Sequence, residues 1–249
     1  MRYGICNLGV VPLKSEPSHT SELVSQVLYG EFFKILEQRK QWSRIRLAYD
    51  NYEGWIDNKQ IVEISEADYS ALSKSIQRFS TDLIEYIQDS DQRLHAIVMG
   101  SSLNGVEIMG HTFEGHYTDA VKPKADLLKT AFNYLNAPYM WGGKTPFGID
   151  CSGFTQMVYK INGYNLLRDA SQQAQQGTPL SFIEESEPGD LAFFDNEEGR
   201  IVHVGIIMEN NYIIHSHGKV RIDRLDHSGI YNVDRKIHTH KLRVIKKII

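Results

Sequence analysis

The stretch from Trp141 to Gly163, WGGKTPFGIDCSGFTQMVYKING, constrains the fold more than any other part of the chain. Its first half is a loop, because Gly142, Gly143, Pro146 and Gly148 interrupt any regular element. From Asp150 the pattern changes: Phe154, Val158 and Ile161 recur at the i, i+4, i+7 spacing of a helix with one buried stripe. Asp150 stands where an N-cap belongs, which makes Cys151 the first helical residue. Such a helix must lay its stripe on a second layer. That layer follows Asp190, where DLAFF, RIVHVGIIM, NYIIHSHGKV and HTHKLRVI read as strands. Upstream, Pro123 suits a first helical turn, and ADLLKTAFNYLN carries Leu127, Leu128, Ala131, Phe132 and Leu135 at helical spacing until Pro138 stops it. Helices first and an antiparallel sheet afterwards give an α+β layout.

The N-terminal quarter follows a different rule. β-rich runs at Val24–Tyr29, Phe32–Glu37, Trp42–Leu47 and Gly54–Ile56 are broken at Gly30, Gln38–Gln41 and Asp50–Asn51, so residues 1–62 predict a small all-β barrel. In residues 63–122, EADYSALSKS and STDLIEYIQD read as helical, with Ser80 or Thr81 as a cap for the second. RLHAIVMG and GVEIMGHTF read as strands around the turn SSLNG. A second, divergent barrel and a linker domain fit this region equally well. Residues 123–249 then form a third unit.

With 41% hydrophobic and 23% charged residues in 249, the chain has an ordinary globular composition. A net charge of −4 argues against binding nucleic acid through phosphate neutralisation. No run approaches the ~20 apolar residues of a membrane span. MRYGICNLGVVPLKSEPSH has no signal-peptide-like apolar core, so the expectation is a cytoplasmic protein. Arg235, Lys236, Lys241, Arg243, Lys246 and Lys247 crowd the C-terminal segment and suggest an edge strand guarded by lysines rather than an anion-binding tail. Oligomeric state leaves no trace in the sequence.

The two cysteines, Cys6 and Cys151, are too few for a disulfide framework, and Cys6 reads as a small apolar residue. Cys151 is different. At the first turn of a helix, unpaired amides and the macrodipole favour thiolate, so the sequence predicts an activated nucleophile with a lowered pKa. A nucleophilic cysteine needs a base. If Met208 pairs with Tyr212 across the turn ENN, Gly205 lies opposite His215, and His203 shares a sheet face with both His215 and His217. His203 lies within reach of either, and geometry alone does not choose between them. The other histidines, His19, His95, His111, His116, His227, His238 and His240, read as solvated or structural. The Cys/His spacing matches no compact zinc motif, so neither metal nor cofactor is expected.

Taken together, YMWGGKTPFGIDCSGFTQMVY, RDASQQ, EPGDLAFF, HVGI and IIHSHG resemble the NlpC-type papain-like cysteine peptidases of bacterial cell-wall metabolism, over residues 125–249. The G-E, W and G-W-I pattern of the first 62 residues resembles the bacterial SH3-like domains joined to such enzymes. The resemblance implies a papain-like α+β catalytic domain preceded by one or two small SH3-like barrels. It further implies Cys151 as nucleophile, His203 as base and His215 as the residue orienting it, and cleavage of the bond between γ-D-glutamate and a diamino acid in murein peptides. Tyr139 is then an oxyanion donor and Trp141 a lining residue. Asp150 binds the free amine of L-Ala, Ser152 and Ser171 hold the D-Glu carboxylate, and Glu16 and Tyr52 of the barrel restrict the cleft to free N-termini. The substrate is a murein-derived peptide, L-Ala-γ-D-Glu-diamino acid, met during recycling. A papain-like amidase or acyltransferase, and a non-catalytic wall-binding module, are the alternatives.

Overall fold

Alternation of apolar and polar residues builds the first sheet. The computed structural model describes all residues from Met1 to Ile249, and the chain divides into two units, Met1–Ala120 and Val121–Ile249. In the first, β1 (Arg2–Ile5), β2 (Val10–Lys14), β3 (Leu23–Leu28), β4 (Phe32–Gln38), β5 (Trp42–Leu47), β6 (Glu53–Asp57) and β7 (Val62–Ile64) pair in the order β3-β2-β6-β5-β4-β1-β7. Inward positions of these strands, among them Val11, Leu13, Val27, Phe33, Ile45 and Ile56, form one core, and Cys6 belongs to it as the small apolar residue expected.

Residues 63–120 pack onto that sheet. Helix α1 (Glu66–Lys74) is closed by a Ser65/Asp68 capping box, and β8 (Phe79–Ser80), β9 (Ile84–Gln88), β10 (Leu94–Val98), β11 (Thr112–Phe113) and β12 (Tyr117–Thr118) follow. They form a three-stranded sheet, β10-β9-β11, and a two-stranded ladder, β12-β8. Tyr29, at the end of β3, shares a core with Ile87, Ile97, Leu103 and Val106. Two expectations fail here. STDLIEYIQD contains a strand, not a helix, because Ile84–Gln88 pairs along its length with Leu94–Val98 and that ladder overrides local propensity. GVEIMGHTF is turn until Thr112, since the Met109, Gly110 and His111 amides bond back to Gly105, Glu107 and Val106.

The second unit contains α2 (Asp126–Phe132), β13 (Lys144–Thr145), β14 (Gly148–Ile149), α3 (Cys151–Ile161) and α4 (Ala170–Gln173). Then come β15 (Thr178–Leu180), β16 (Leu191–Asp195), β17 (Ile201–Met208), β18 (Tyr212–His217), β19 (Lys219–Asp226), β20 (Gly229–Asn232) and β21 (Ile237–Lys247). Helix α2 ends six residues before Pro138, because Phe132 and Leu135 face solvent and the chain turns at Asn136, whose φ is +69°. The α3 stripe is too narrow a description. Every residue from Cys151 to Ile161 is buried, so the helix is enclosed on all sides. Its polar members bond inside the unit: Thr155 Oγ1 donates to Gln173 Oε1 at 2.7 Å and Gln156 Nε2 to the Leu166 carbonyl at 3.1 Å. Full burial of Phe154, Met157 and Val158 stabilises the helix by roughly 1.5–3 kcal/mol per side chain.

The large sheet runs β15-β21-β16-β17-β18-β19-β20 and closes, because β20 also pairs with β21. The C-terminal strand is therefore not an edge, as its lysines suggested. It lies against β16 on one side, while β20 and β15 share the other along its length. Ala192, Phe194, Ile207, Ile213, Leu225, Ile230 and Ile245 fill the closed barrel. Closure brings the backbones together at Gly229, where φ is +134° and a Cβ would stand 1.8 Å from the His240 carbonyl oxygen. Gly229→Ala combines a forbidden φ with a backbone collision, and we expect it to lower stability by about 3 kcal/mol, read as a shift in the urea midpoint.

Candidate active site

Asp150 organises the tip of α3. Its Oδ1 accepts from the Gly153 amide at 2.6 Å, which makes the N-cap, and its Oδ2 accepts from the Gly142 amide at 2.8 Å, which ties the glycine-rich loop to the helix. Arg168, 1% exposed, donates Nη1 to Oδ1 at 3.0 Å and Nη2 to Oδ2 at 2.7 Å, and a second Nη1 bond reaches Ser152 Oγ at 3.0 Å. The loop lies so close that a Cβ on Gly153 would stand 2.3 Å from the Gly143 carbonyl oxygen. The chain before α3 is pinned to the barrel as well, by the Tyr139 amide on the Gly218 carbonyl at 3.0 Å and Ser216 Oγ on the Ile149 carbonyl at 2.8 Å.

These contacts leave Cys151 on a cavity of about 200 Å³ lined by Tyr139, Cys151, Val202, His203, Ser216, His217, Gly218 and His240. The expected lowering of the thiol is not found. Burial, then the Asp150 carboxylate, push it up to about 12, against the pull of the Val204 amide, Arg168 and the Ser152 amide. A sulfur so largely buried loses more hydration than a helix tip returns in field. Burial thus favours the neutral thiol over the thiolate.

The hairpin register is the one the sequence predicts: Met208 opposite Tyr212 and Gly205 opposite His215. His203 Nε2 lies 2.8 Å from His215 Nδ1, whereas the His217 ring centre is 6.3 Å from that of His203. The hydrogen bond thus selects His215. His215 Nε2 lies 3.0 Å from Asp223 Oδ2, and Arg221 grips the same carboxylate with Nε at 2.7 Å and Nη2 at 2.8 Å. His240 stacks on His203 with ring centres 4.1 Å apart. Burial, and then the neighbouring imidazoles His215, His240 and His217, hold His203 well below the usual histidine range. His240 is lowered to about 3, again chiefly by burial. Asp223 stays far below the usual carboxylate range, its own burial overcome by the bonds from His215 and Arg221.

The other expected site residues lie in different places. Tyr139 lines the cavity, and burial with the nearby Cys151 pushes its phenol up to about 12, so it remains a donor. Asp150 and Ser152 are engaged with Arg168 as described: the carboxylate is charge-compensated and its lone pairs are filled, which makes it the frame of the tip. Trp141 is 60% exposed and stands outside the cavity lining, a correction to its expected place. Ser171 is exposed on the first turn of α4. In the first unit, Glu16 is exposed in the loop after β2, and Tyr52 is half-buried against the barrel core.

Sequence reasoning missed Asp223, Arg168 and His240. Asp223 was legible: period-2 alternation in KVRIDRLD puts residues 221, 223 and 225 on one face, and the tight turn at Gly218 sets that face beside His215. His240 depends on barrel closure and Arg168 on a loop return, neither of which leaves a local signal.

The NlpC/P60 family model matches residues 136–239, and the model of the bacterial dipeptidyl-peptidase SH3 domain matches residues 13–61. The chain is 42% identical over 213 residues to a γ-D-glutamyl-L-lysine dipeptidyl-peptidase of Bacillus subtilis (strain 168), covering 77% of this chain and 71% of that one. The chain belongs to the NlpC/P60 family. Dipeptidyl-peptidase 6 of Lysinibacillus sphaericus is 28% identical over 254 residues, covering 86% of this chain and 88% of the relative. Among solved structures, an NlpC/P60 family protein from Bacillus cereus ATCC 10987 superposes with a TM-score of 0.79 at 18% identity, covering 99% of each chain, a likeness of fold.

Two outcomes test the site's physics. Asp150→Ala removes the cap and leaves Arg168 buried without its counter-charge; we expect a loss of about 3–5 kcal/mol by urea denaturation. The buried imidazoles of His203, His215 and His240 stay neutral in the fold, whereas unfolded histidines take up protons near pH 6.5. Below about pH 6.5 the unfolded chain binds more protons, so stability falls as pH falls and is level above. The urea midpoint is expected to drop between pH 7 and 5, and less so in His240→Gln.

Proposed function

We propose that this chain is a cysteine peptidase that hydrolyses the γ-D-glutamyl bond to a diamino acid in murein peptides with a free N-terminal L-Ala, and that it serves the recycling of such peptides. The observation that carries the reading is the meeting, on one cavity, of a helix-tip thiol and an imidazole backed by a second imidazole. The names of the relatives support the choice of bond.

In this reading Cys151 Sγ attacks the γ-carbonyl carbon of D-Glu while His203 takes its proton. With a thiol raised to about 12 and a neutral His203, proton transfer accompanies attack rather than preceding it as a standing ion pair. The oxyanion is held by amides at the start of α3 and by the Tyr139 hydroxyl. Collapse breaks the C–N bond, His203 returns the proton to the departing amine, and a thioester is left on Cys151. Water, deprotonated by His203, attacks the thioester and releases L-Ala-D-Glu and the thiol. His215 orients His203 throughout. Ser171 with Ser152 for the D-Glu carboxylate, and Glu16 and Tyr52 for the free N-terminus, complete the proposal; Asp150, whose carboxylate is already filled by Gly153, Gly142 and Arg168, frames the site instead of taking the L-Ala amine.

Incubation with L-Ala-γ-D-Glu-L-Lys and its diaminopimelate counterpart, each with a free or acetylated L-Ala, tests it. We expect L-Ala-D-Glu from the free forms only, and none from Cys151→Ala. Turnover that persists in Cys151→Ala removes the peptidase reading; robust cleavage of acetylated peptides removes the N-terminal selectivity.

A further inference from the structure

The geometry points to Asp223, clamped by Arg221, as a positioning residue that sets the tautomer of both active-site imidazoles and so decides which nitrogen of His203 is the base. This inference rests on the peptidase reading of the same cavity and adds a fourth member to its relay.

The argument is a donor and acceptor count along one chain of bonds. Asp223 is 0% exposed and receives two bonds from Arg221 and one from the Val233 amide, so it is held as a carboxylate, which can only accept. The His215 Nε2 that faces its Oδ2 must therefore carry a hydrogen. His215 is itself 0% exposed, packed against the rings of His203, His217 and His240, and burial keeps it neutral; a neutral imidazole with a proton on Nε2 has a bare lone pair on Nδ1. That lone pair is 2.8 Å from His203 Nε2, which must then be the donor. Neutral His203 is left with an unprotonated Nδ1, the one nitrogen not used in the relay, on the ring that lines the cavity with Cys151. Reversal of any bond would place a proton on Nδ1 and leave no base.

Arg221 makes the setting one-way. An amide in place of the carboxylate must put its NH2 at one of two positions. At the Oδ1 position it would face two donors that cannot reverse, Arg221 Nη2 and the Val233 amide; at the Oδ2 position it faces Arg221 Nε and His215, and His215 can reverse. Asp223→Asn therefore drives the amide hydrogen onto His215 Nε2, moves the His215 proton to Nδ1, and makes His203 Nε2 an acceptor with its own proton on Nδ1.

Long-range 15N–1H correlation of histidine-labelled full-length protein at pH 7.5 reads these tautomers directly. In the wild type, His203 is expected with Nε2 protonated and Nδ1 bare; in Asp223→Asn the pattern is expected to reverse, with kcat down roughly 10²–10⁴-fold and KM nearly unchanged, as for other wrong-tautomer substitutions. A wild-type His203 protonated on Nδ1 overturns the inference, and needs no variant to fold. So does an Asp223→Asn protein that keeps the wild-type tautomer, or turns over within about twofold of it. The tautomer is read in resting enzyme without substrate, so its failure is separate from that of the peptidase reading, which the tripeptide assay decides.

Discussion

The structure of the catalytic unit hangs on the carboxylate of Asp150. One small group caps α3, anchors the glycine-rich loop through Gly142 and neutralises a buried arginine, so helix, loop and the α4 approach share a single point of attachment. Because Arg168 is sealed from solvent, the pair cannot be loosened from one side without leaving a bare charge inside. The position of Cys151, the next residue, is thereby fixed by electrostatics rather than by packing alone. The same carboxylate works against ionisation of the thiol it places. Geometry and acidity are therefore set by one residue in opposite senses, and the imidazole relay supplies what the helix tip does not.

That relay is buried because of where its strands point. His203, His215 and Asp223 alternate along β17, β18 and β19 in step with Ile207, Ile213 and Leu225, which fill the closed barrel. The polar chain thus continues an apolar core, and each of its members is satisfied by the next. Low solvent access keeps the imidazoles neutral and makes every hydrogen bond between them directional in consequence.

Much of this was readable from local pattern. The capped helix, the hairpin register and the fold class depend on neighbours in sequence or on a two-residue alternation, and those rules held for Asp150, Gly205 and His215. Where expectation failed, a long-range term had won. Ile84–Gln88 became a strand because Leu94–Val98 was available as a partner, and β21 lost its edge because β20 returned to meet it. The thiol was misjudged for a related reason: a helix N-terminus is visible in sequence, whereas the depth at which the sulfur sits is a property of the assembled unit.

Barrel closure also has a temporal side. The strand that seals the ring, Ile237–Lys247, follows every other strand of its sheet in chain order, and it carries the imidazole that stacks on His203. Until that strand leaves the ribosome, β16 and β20 lack a shared neighbour and the relay stands open to water. Synthesis from the N-terminus therefore leaves the ring open until all of its other strands have been made.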